Sequence, residues 1–247
     1  YMLSASLSYD ITDWLNISGR VRVDNSSTKY EQKLYASSNT TLTEGSAQGF
    51  YAISKPDETQ VYADALANIN KRLGDYSIVV NIGASIVDNK YDELSYRGPI
   101  RANGIPNVFN VFDLDNTQKK ARQDEWEEQT QSIFASAEVG WKSMFYLTLT
   151  GRNDWASQLA NSSSTCFFYP SIGLSAVVSE MVKLPSFVDY LKVRSSFSSV
   201  GMPYPRNLTS PTFEYDETTQ TWKPKTHYPI GDLKPERTDS WELGLDM

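Results

Sequence analysis

Residues 133–154 of this 247-residue chain read IFASAEVGWKSMFYLTLTGRND. Apolar and polar residues alternate on both sides of a break at Lys142-Ser143-Met144. Because successive side chains of a β-strand point to opposite faces of a sheet, this pattern predicts an antiparallel hairpin with one apolar face. That face carries Ile133, Ala135, Ala137, Val139, Trp141, Phe145, Leu147, Leu149 and Gly151.

The same unit recurs along the chain. Alternation over residues 3–23, 61–86 and 172–197 predicts three further hairpins, and a ninth strand begins near Arg237. The connections after the first, third, fifth and seventh strands are short. Those after the second, fourth, sixth and eighth are long, at about 25–57, 88–127, 156–166 and 201–236. All the long loops therefore fall on one rim and the tight turns on the other, as in outer-membrane β-barrels.

Composition excludes several classes of protein. The chain has 23 Lys and Arg against 30 Asp and Glu, a net charge of −7, which argues against nucleic acid as a partner. No apolar run approaches the roughly 18–20 residues of a membrane-spanning helix. A single cysteine, Cys166, and a single histidine, His227, leave little for zinc binding or for histidine-based catalysis. We therefore expect no catalytic site, no metal site and no cofactor.

Two all-β architectures fit the alternation, a membrane barrel and a soluble sandwich. The strands run for roughly 10 residues or more, which suits a tilted membrane strand better than the common strand of about 5–6 residues. Their polar face is rich in Ser, Thr, Asn and Arg, as expected for the wall of a wet lumen. Aromatic residues gather near the strand ends, at Tyr9, Trp14, Tyr76, Trp141, Phe145 and Tyr146 on one rim and at Trp155 and Tyr169 on the other.

These features predict part of an antiparallel up-and-down transmembrane β-barrel, with lipid on the apolar side. The alternative is a soluble, secreted or surface β-rich module whose loops bind carbohydrate. In that case the aromatic residues would stabilise an ordinary sheet through cross-strand pairs.

Four segments resemble a known family. They are FYLTLTGRNDW at 145–155, FYPSIGLS at 168–175, LKVRSSFSSVG at 191–201 and LKPERTDSWELG at 233–244. In this order they resemble the barrel of SusC/RagA-type TonB-dependent outer-membrane transporters, over about residues 130–247. Residues 1–129 agree with it in hairpin style.

The resemblance implies a fold, a location and partners. The chain would be a mid-barrel section supplying about nine strands of a larger, roughly 22-stranded barrel with an internal plug, in the cell outer membrane. The parent protein would import oligosaccharides or peptides with a SusD-like surface lipoprotein. It would be driven by the TonB complex, acting through a missing N-terminal part. The signal peptide, the TonB box and the plug are expected to lie outside this sequence.

Two groups of residues are candidates for function. Charged residues on the polar face would line the lumen, where they hold the plug, guide a polar solute or simply pair with one another; they are Arg20, Arg22, Arg152, Asp154, Lys192 and Arg194. Aromatic residues in the long loops would contact substrate or a partner, or else pack the loops together; they are Tyr96, Trp126, Tyr204, Trp222 and Tyr228.

Overall fold

A long antiparallel sheet dominates the computed structural model, which describes residues 1–185, 187–216, 219–225 and 228–247. The single histidine, His227, lies outside the described residues. Along the chain the strands are β1 (Met2–Thr12), β2 (Leu15–Ser27), β3 (Tyr30–Leu34), β4 (Phe50–Leu73), β5 (Tyr76–Pro99), β6 (Lys120–Trp141), β7 (Phe145–Ala156), β8 (Phe167–Val177), β9 (Lys192–Met202), β10 (Phe213–Asp216), β11 (Thr221–Pro224) and β12 (Glu236–Asp246).

The main sheet has the order β1-β2-β4-β5-β6-β7-β8-β9-β12, with β3 also paired to β4, and every pairing in it is antiparallel. The four predicted hairpins are confirmed as β1–β2, β4–β5, β6–β7 and β8–β9. The predicted ninth strand is β12, which pairs with β9. A short helix, α1 (Val178–Met181), lies in the connection between β8 and β9. No helix within the described ranges is long and apolar enough to cross a membrane.

The turns on one rim are tight. Leu73 pairs directly with Tyr76, so that Gly74 and Asp75 form a two-residue turn in which Gly74 has a φ of 59°. A positive φ at the first central position is characteristic of hairpin turns and favours glycine. Lys142 and Ser143 also have positive φ values, 51° and 58°, in the turn between β6 and β7.

The strands on the opposite rim are longer than the sequence pattern predicts. The ranges 25–57 and 88–127, expected to be loops, contain β3, the start of β4, the end of β5 and the start of β6. The prediction placed these boundaries wrongly because both faces of these strand ends are polar, so apolar alternation stops while the backbone ladder continues. The short hairpin β10–β11 likewise lies within the predicted loop 201–236.

Cross-strand register gives the sheet two chemically distinct faces. One row joins Ile17, Ala67, Ile82 and Ala135 across four strands. The neighbouring row on the other face joins Asn16, Asn68, Asn81 and Ser136. Side-chain hydrogen bonds link this second row, from Asn68 to Asn81 at 2.5 Å and from Asn81 to Ser136 at 3.1 Å.

The apolar face is open. Leu7, Ile82 and Leu174 are 78%, 50% and 57% exposed. A soluble sandwich would bury such residues against a second sheet, because burial of apolar surface is the main stabilising contribution to a soluble fold. The exposed apolar face therefore favours the membrane wall, in which lipid covers these side chains.

The aromatic residues near the strand ends divide between the two faces. Trp141, Phe145 and Trp155 lie on the apolar face, as expected for rings at a membrane interface. Tyr146 and Tyr169, expected in the same girdle, lie instead on the polar face, where Tyr146 pairs with Gly140 and Tyr169 with Arg152. Strand register explains the correction, since neighbouring residues of a strand point to opposite faces.

Gly83 provides a test of packing on the polar face. A Cβ atom at Gly83 would lie 2.6 Å from the ring of Phe134 and 2.9 Å from the carbonyl oxygen of Ala65, whereas one at Gly173 would lie 3.7 Å from its nearest neighbour. We expect Gly83→Ala to lower the free energy of unfolding by about 1–3 kcal/mol, since Phe134 must move. Gly173→Ala, the matched control, should change it by less than about 0.5 kcal/mol. Urea unfolding of the receptor in lipid vesicles measures both, and equal effects would contradict the packing argument.

Candidate functional site

Each of the four arginines predicted from the sequence lies beside a carboxylate on the polar face. Arg20 donates two hydrogen bonds to Asp64, from Nε at 2.9 Å and from Nη2 at 2.6 Å, and its guanidinium lies 5.3 Å from the ring centre of Tyr62. Arg22 pairs with Asp24 at 2.6 Å. The ladder between β2 and β4 aligns Arg20 directly with Asp64, so strand register positions this pair.

The most buried charged group of this face is Asp154. It accepts a hydrogen bond from Arg152 Nε at 2.7 Å and another from the Tyr169 hydroxyl. Arg152 also donates to Ser132 Oγ at 2.8 Å. These residues come from β6, β7 and β8, so the network ties three adjacent strands together.

Lys192 and Arg194 occupy the same face on β9. Lys192 pairs in the ladder with Asp246 of β12, and Arg194 Nε lies 3.7 Å from the Asp246 carboxylate. The six predicted residues therefore share one face, and all five arginines and aspartates among them are in ion pairs. The charges of these residues are therefore largely balanced within the sheet.

The predicted loop aromatics are scattered. Tyr96 lies in β5 and Trp126 in β6, within strands rather than loops. Tyr204 follows β9, and its hydroxyl is buried without a hydrogen-bond partner among the described residues. Trp222 lies in β11, with its ring centre 5.4 Å from that of Tyr215, and Tyr228 is exposed. The structure does not bring these five residues into one site.

Trp126 nevertheless lies at the centre of a compact cluster. Its ring stacks on Tyr91 with centres 5.4 Å apart and planes 12° apart, and the Arg206 guanidinium lies 4.1 Å from its centre. Arg206 also donates to Glu128 at 3.1 Å. The segment after β9 is thereby fastened to β6. Tyr91, Glu128 and Arg206 were missed as site residues; only the direct pairing of Tyr91 with Trp126 in an extended ladder would have indicated one of them.

Glu93 extends this cluster along β5, two residues beyond Tyr91. It accepts hydrogen bonds from the Ser54 hydroxyl and the Tyr91 hydroxyl, both at 2.6 Å. These two hydrogen bonds lower the pKa of Glu93 below its usual value, and the bond from Ser54 has the larger effect. The pKa of Tyr91 is raised to about 12, mainly by its hydrogen bond to Glu93 and secondly by burial of its hydroxyl.

The Tyr91 hydroxyl should therefore lose its proton at a higher pH than an ordinary tyrosine. We expect its proton to be lost near pH 12 rather than near 10, and Glu93→Gln should move the midpoint down towards 10, because the neighbouring negative charge is gone. Since the folded state holds this proton more tightly, the stabilisation is complete below pH 10 and is lost as the pH rises towards 12. The absorbance at 295 nm, taken as the difference from Tyr91→Phe, reports the midpoint. An unchanged midpoint in Glu93→Gln would contradict this assignment.

The described part of the chain contains no group of three or more His, Cys, Asp or Glu side chains arranged to hold a metal ion.

Known proteins share this architecture. The family described as TonB dependent receptor-like, beta-barrel matches residues 1–247. No curated protein sequence matches the chain. The RagAB peptide transporter superimposes with a TM-score of 0.77 at 14% identity over 99% of this chain and 28% of that one. The siderophore receptor PiuA from Acinetobacter baumannii gives 0.56, also at 14% identity, over 99% of this chain and 37% of that one.

At this identity the structural likenesses show the fold alone, and the chain spans only about a third of each protein's length. The family match carries the assignment, because it covers every residue. It confirms the TonB-dependent barrel indicated by the segments at 145–155, 168–175, 191–201 and 233–244. This chain belongs to the TonB-dependent receptor-like β-barrel family.

Proposed function

We propose that this chain is a section of the barrel wall of a TonB-dependent outer-membrane transporter that imports oligosaccharides or peptides. The observation that carries the proposal is the two-faced sheet, with exposed apolar rows on one side and hydrogen-bonded polar rows on the other. A closed barrel built from such strands satisfies all its backbone hydrogen bonds within lipid. The exposed apolar rows argue against the alternative of a soluble carbohydrate-binding module.

The polar face would serve as the wall of the bore. Arg20, Arg152 and Arg194 each lie beside a carboxylate, so the wall presents alternating charges without a strong net field. Such a surface suits contact with a plug domain and passage of a polar solute. Binding and passage do not require covalent chemistry, so we expect no enzymatic activity.

The tall sheet formed by β3, β4, β5 and β6 would project beyond the membrane. Its loops fold into a packed layer in which Ile100 and Leu114 are buried. A firm, structured rim suits the docking of a SusD-like surface lipoprotein. The fold shared with the RagAB peptide transporter makes a peptide a reasonable substrate for this chain's parent protein.

Fractionation and uptake test the proposal. The full receptor should remain with outer membranes and require detergent for release. A strain lacking the receptor, or lacking TonB, should lose growth on a peptide mixture or on an oligosaccharide mixture as sole nutrient. Recovery of the receptor in the soluble fraction without detergent, or growth unaffected by both deletions, would refute it.

A further inference from the structure

The apolar side of β6, β7, β8 and β9 contains a depression near the tight-turn rim. It has a volume of about 530 Å³ and is lined almost wholly by apolar side chains. Its walls include Trp141, Phe145, Leu174 and Val193, and we call it the rim slot. Pockets that hold small molecules have volumes of roughly 300–1,000 Å³, so the rim slot has room for a slender apolar ligand.

Two small residues form the floor of the rim slot. Ala176 lies between Phe145 and Val193 in the ladder, and Ser195 of the next strand lies beside Leu174. Ala176 and Ser195 are diagonal neighbours on one face of the sheet, because Val193, the direct partner of Ala176, is two residues before Ser195. Two small side chains in adjacent positions therefore leave a continuous trough among larger ones.

The position of the rim slot determines what covers it. Its walls continue the apolar rows of the sheet, such as the row that joins Val139, Leu147 and Leu174. Those rows face lipid, and the tight turns of an outer-membrane barrel lie on the periplasmic side. An acyl chain of the periplasmic leaflet fills the trough with van der Waals contacts that an empty trough would lack.

Ser195 adds a polar group at the depth of the lipid ester groups. It lies three residues from the start of β9 at the rim, roughly 10 Å along the strand. Within the described part of the chain, no side-chain hydrogen bond occupies its hydroxyl. A hydroxyl on an apolar face is costly without a partner, and the ester carbonyl of a phospholipid can accept its proton.

Charges of both signs lie at the rim end of the rim slot. The Lys142 ammonium lies 5.2 Å from the ring centre of Trp141, which lines the slot. Lys142 Nζ is also 3.6 Å from Asp75, in a loose pair whose side chains are 46% and 63% exposed. A zwitterionic head group matches this pair, with its phosphate beside Lys142 and its ammonium beside Asp75, whereas an anionic head group would meet the Asp75 carboxylate unpaired.

We propose that the rim slot binds one phosphatidylethanolamine molecule of the periplasmic leaflet. An acyl chain lies over Ala176 and Ser195, the Ser195 hydroxyl donates to an ester carbonyl, and the head group contacts Lys142 and Asp75. The site is additional to solute import. It rests on the proposed function only through the placement of the apolar face in lipid.

Filling the trough provides the main test. Ala176→Leu places a larger side chain on its floor, whereas Ala137→Leu makes the same change on the same face, between Val80 and Leu149 and outside the slot. The full receptor in detergent is titrated with phosphatidylethanolamine, and native mass spectrometry counts the bound lipid. We expect saturation at one molecule for the parent, a loss of about tenfold in affinity for Ala176→Leu and a change within about twofold for Ala137→Leu. Equal effects of the two variants, or no saturable binding to the parent, would overturn the proposal.

The head group is tested with phosphatidylglycerol, which has the phosphate but lacks the ammonium. The parent should bind phosphatidylethanolamine about threefold more tightly, as expected for one exposed ion pair, and Asp75→Asn should remove this preference. Tighter binding of phosphatidylglycerol to the parent, or a preference that persists in Asp75→Asn, would contradict the assigned head-group contacts.

Tryptophan fluorescence locates the bound lipid. Phosphatidylethanolamine with brominated acyl chains should quench Trp141, measured as the difference from Trp141→Phe, and Ala176→Leu should require about tenfold more lipid for the same quenching. Heat-modifiable migration on gels shows that each variant is folded. A folded, membrane-bound receptor in which Ala176→Leu binds lipid normally refutes the rim slot alone. A receptor released without detergent refutes the membrane wall, and with it the proposed function.

Discussion

Leu149→Arg is expected to destabilise the barrel by about 2–4 kcal/mol, the cost of an arginine at the lipid-facing midplane of a membrane barrel. Leu149 lies halfway along β7, between the rings of Phe145 and Trp155, and is paired with Ala137 and Ile172 on the apolar face. An arginine there must either desolvate its charge or thin the bilayer around it. Urea unfolding in lipid vesicles measures the loss.

Thr150→Arg is the matched control, because Thr150 is the next residue of the same strand and faces the polar row with Ser136 and Ser171. Its arginine remains hydrated, so the free energy of unfolding should stay close to that of the parent. If Thr150→Arg proves the more damaging of the two, then the assignment of lipid and lumen faces is reversed.

Arg152→Ala is expected to lower the free energy of unfolding by about 3 kcal/mol. Its partner Asp154 is 9% exposed, and removing the guanidinium leaves a buried carboxylate held only by the Tyr169 hydroxyl. Breaking a buried ion pair costs about 3–5 kcal/mol, and the lower end applies because Arg152 itself is 38% exposed. Denaturant unfolding at constant pH provides the measurement.

Two variants show whether the unpaired carboxylate causes this loss. The double variant Arg152→Ala/Asp154→Asn should recover most of the stability, since a neutral amide needs no counter-ion. Arg122→Ala, in the exposed Arg122–Asp124 pair, should have a much smaller effect, because solvent screens that pair. An unrecovered double variant would mean that packing of the arginine stem, rather than charge, stabilises this part of the wall.

Strand boundaries show how far local pattern extends. Over residues 3–23 and 61–86 apolar and polar residues alternate along the lipid-facing part of the strands, so these hairpins and their faces could be predicted from the sequence. Beyond the lipid, both faces of β4, β5 and β6 are in water. Because apolar residues no longer alternate there, the sequence of residues 120–128 predicts a charged loop. The strand structure of such segments depends on cross-strand partners. An example is Lys90 with Glu127, whose Nζ and Oε2 atoms are 3.4 Å apart.

The sequence by itself determined the antiparallel hairpins, the tight-turn rim and the division of residues such as Leu149 and Thr150 between two faces. Those properties depend on the period of the strand, which neighbouring residues set. Only the tertiary structure decided that Arg206 contacts Glu128, 78 positions away, and that the Tyr169 hydroxyl joins the ion pair of Arg152 with Asp154. It also decided that β6 extends further than β7, so that one edge of β6 has no neighbouring strand there. These features depend on where loops return and where strands end, which no local period encodes.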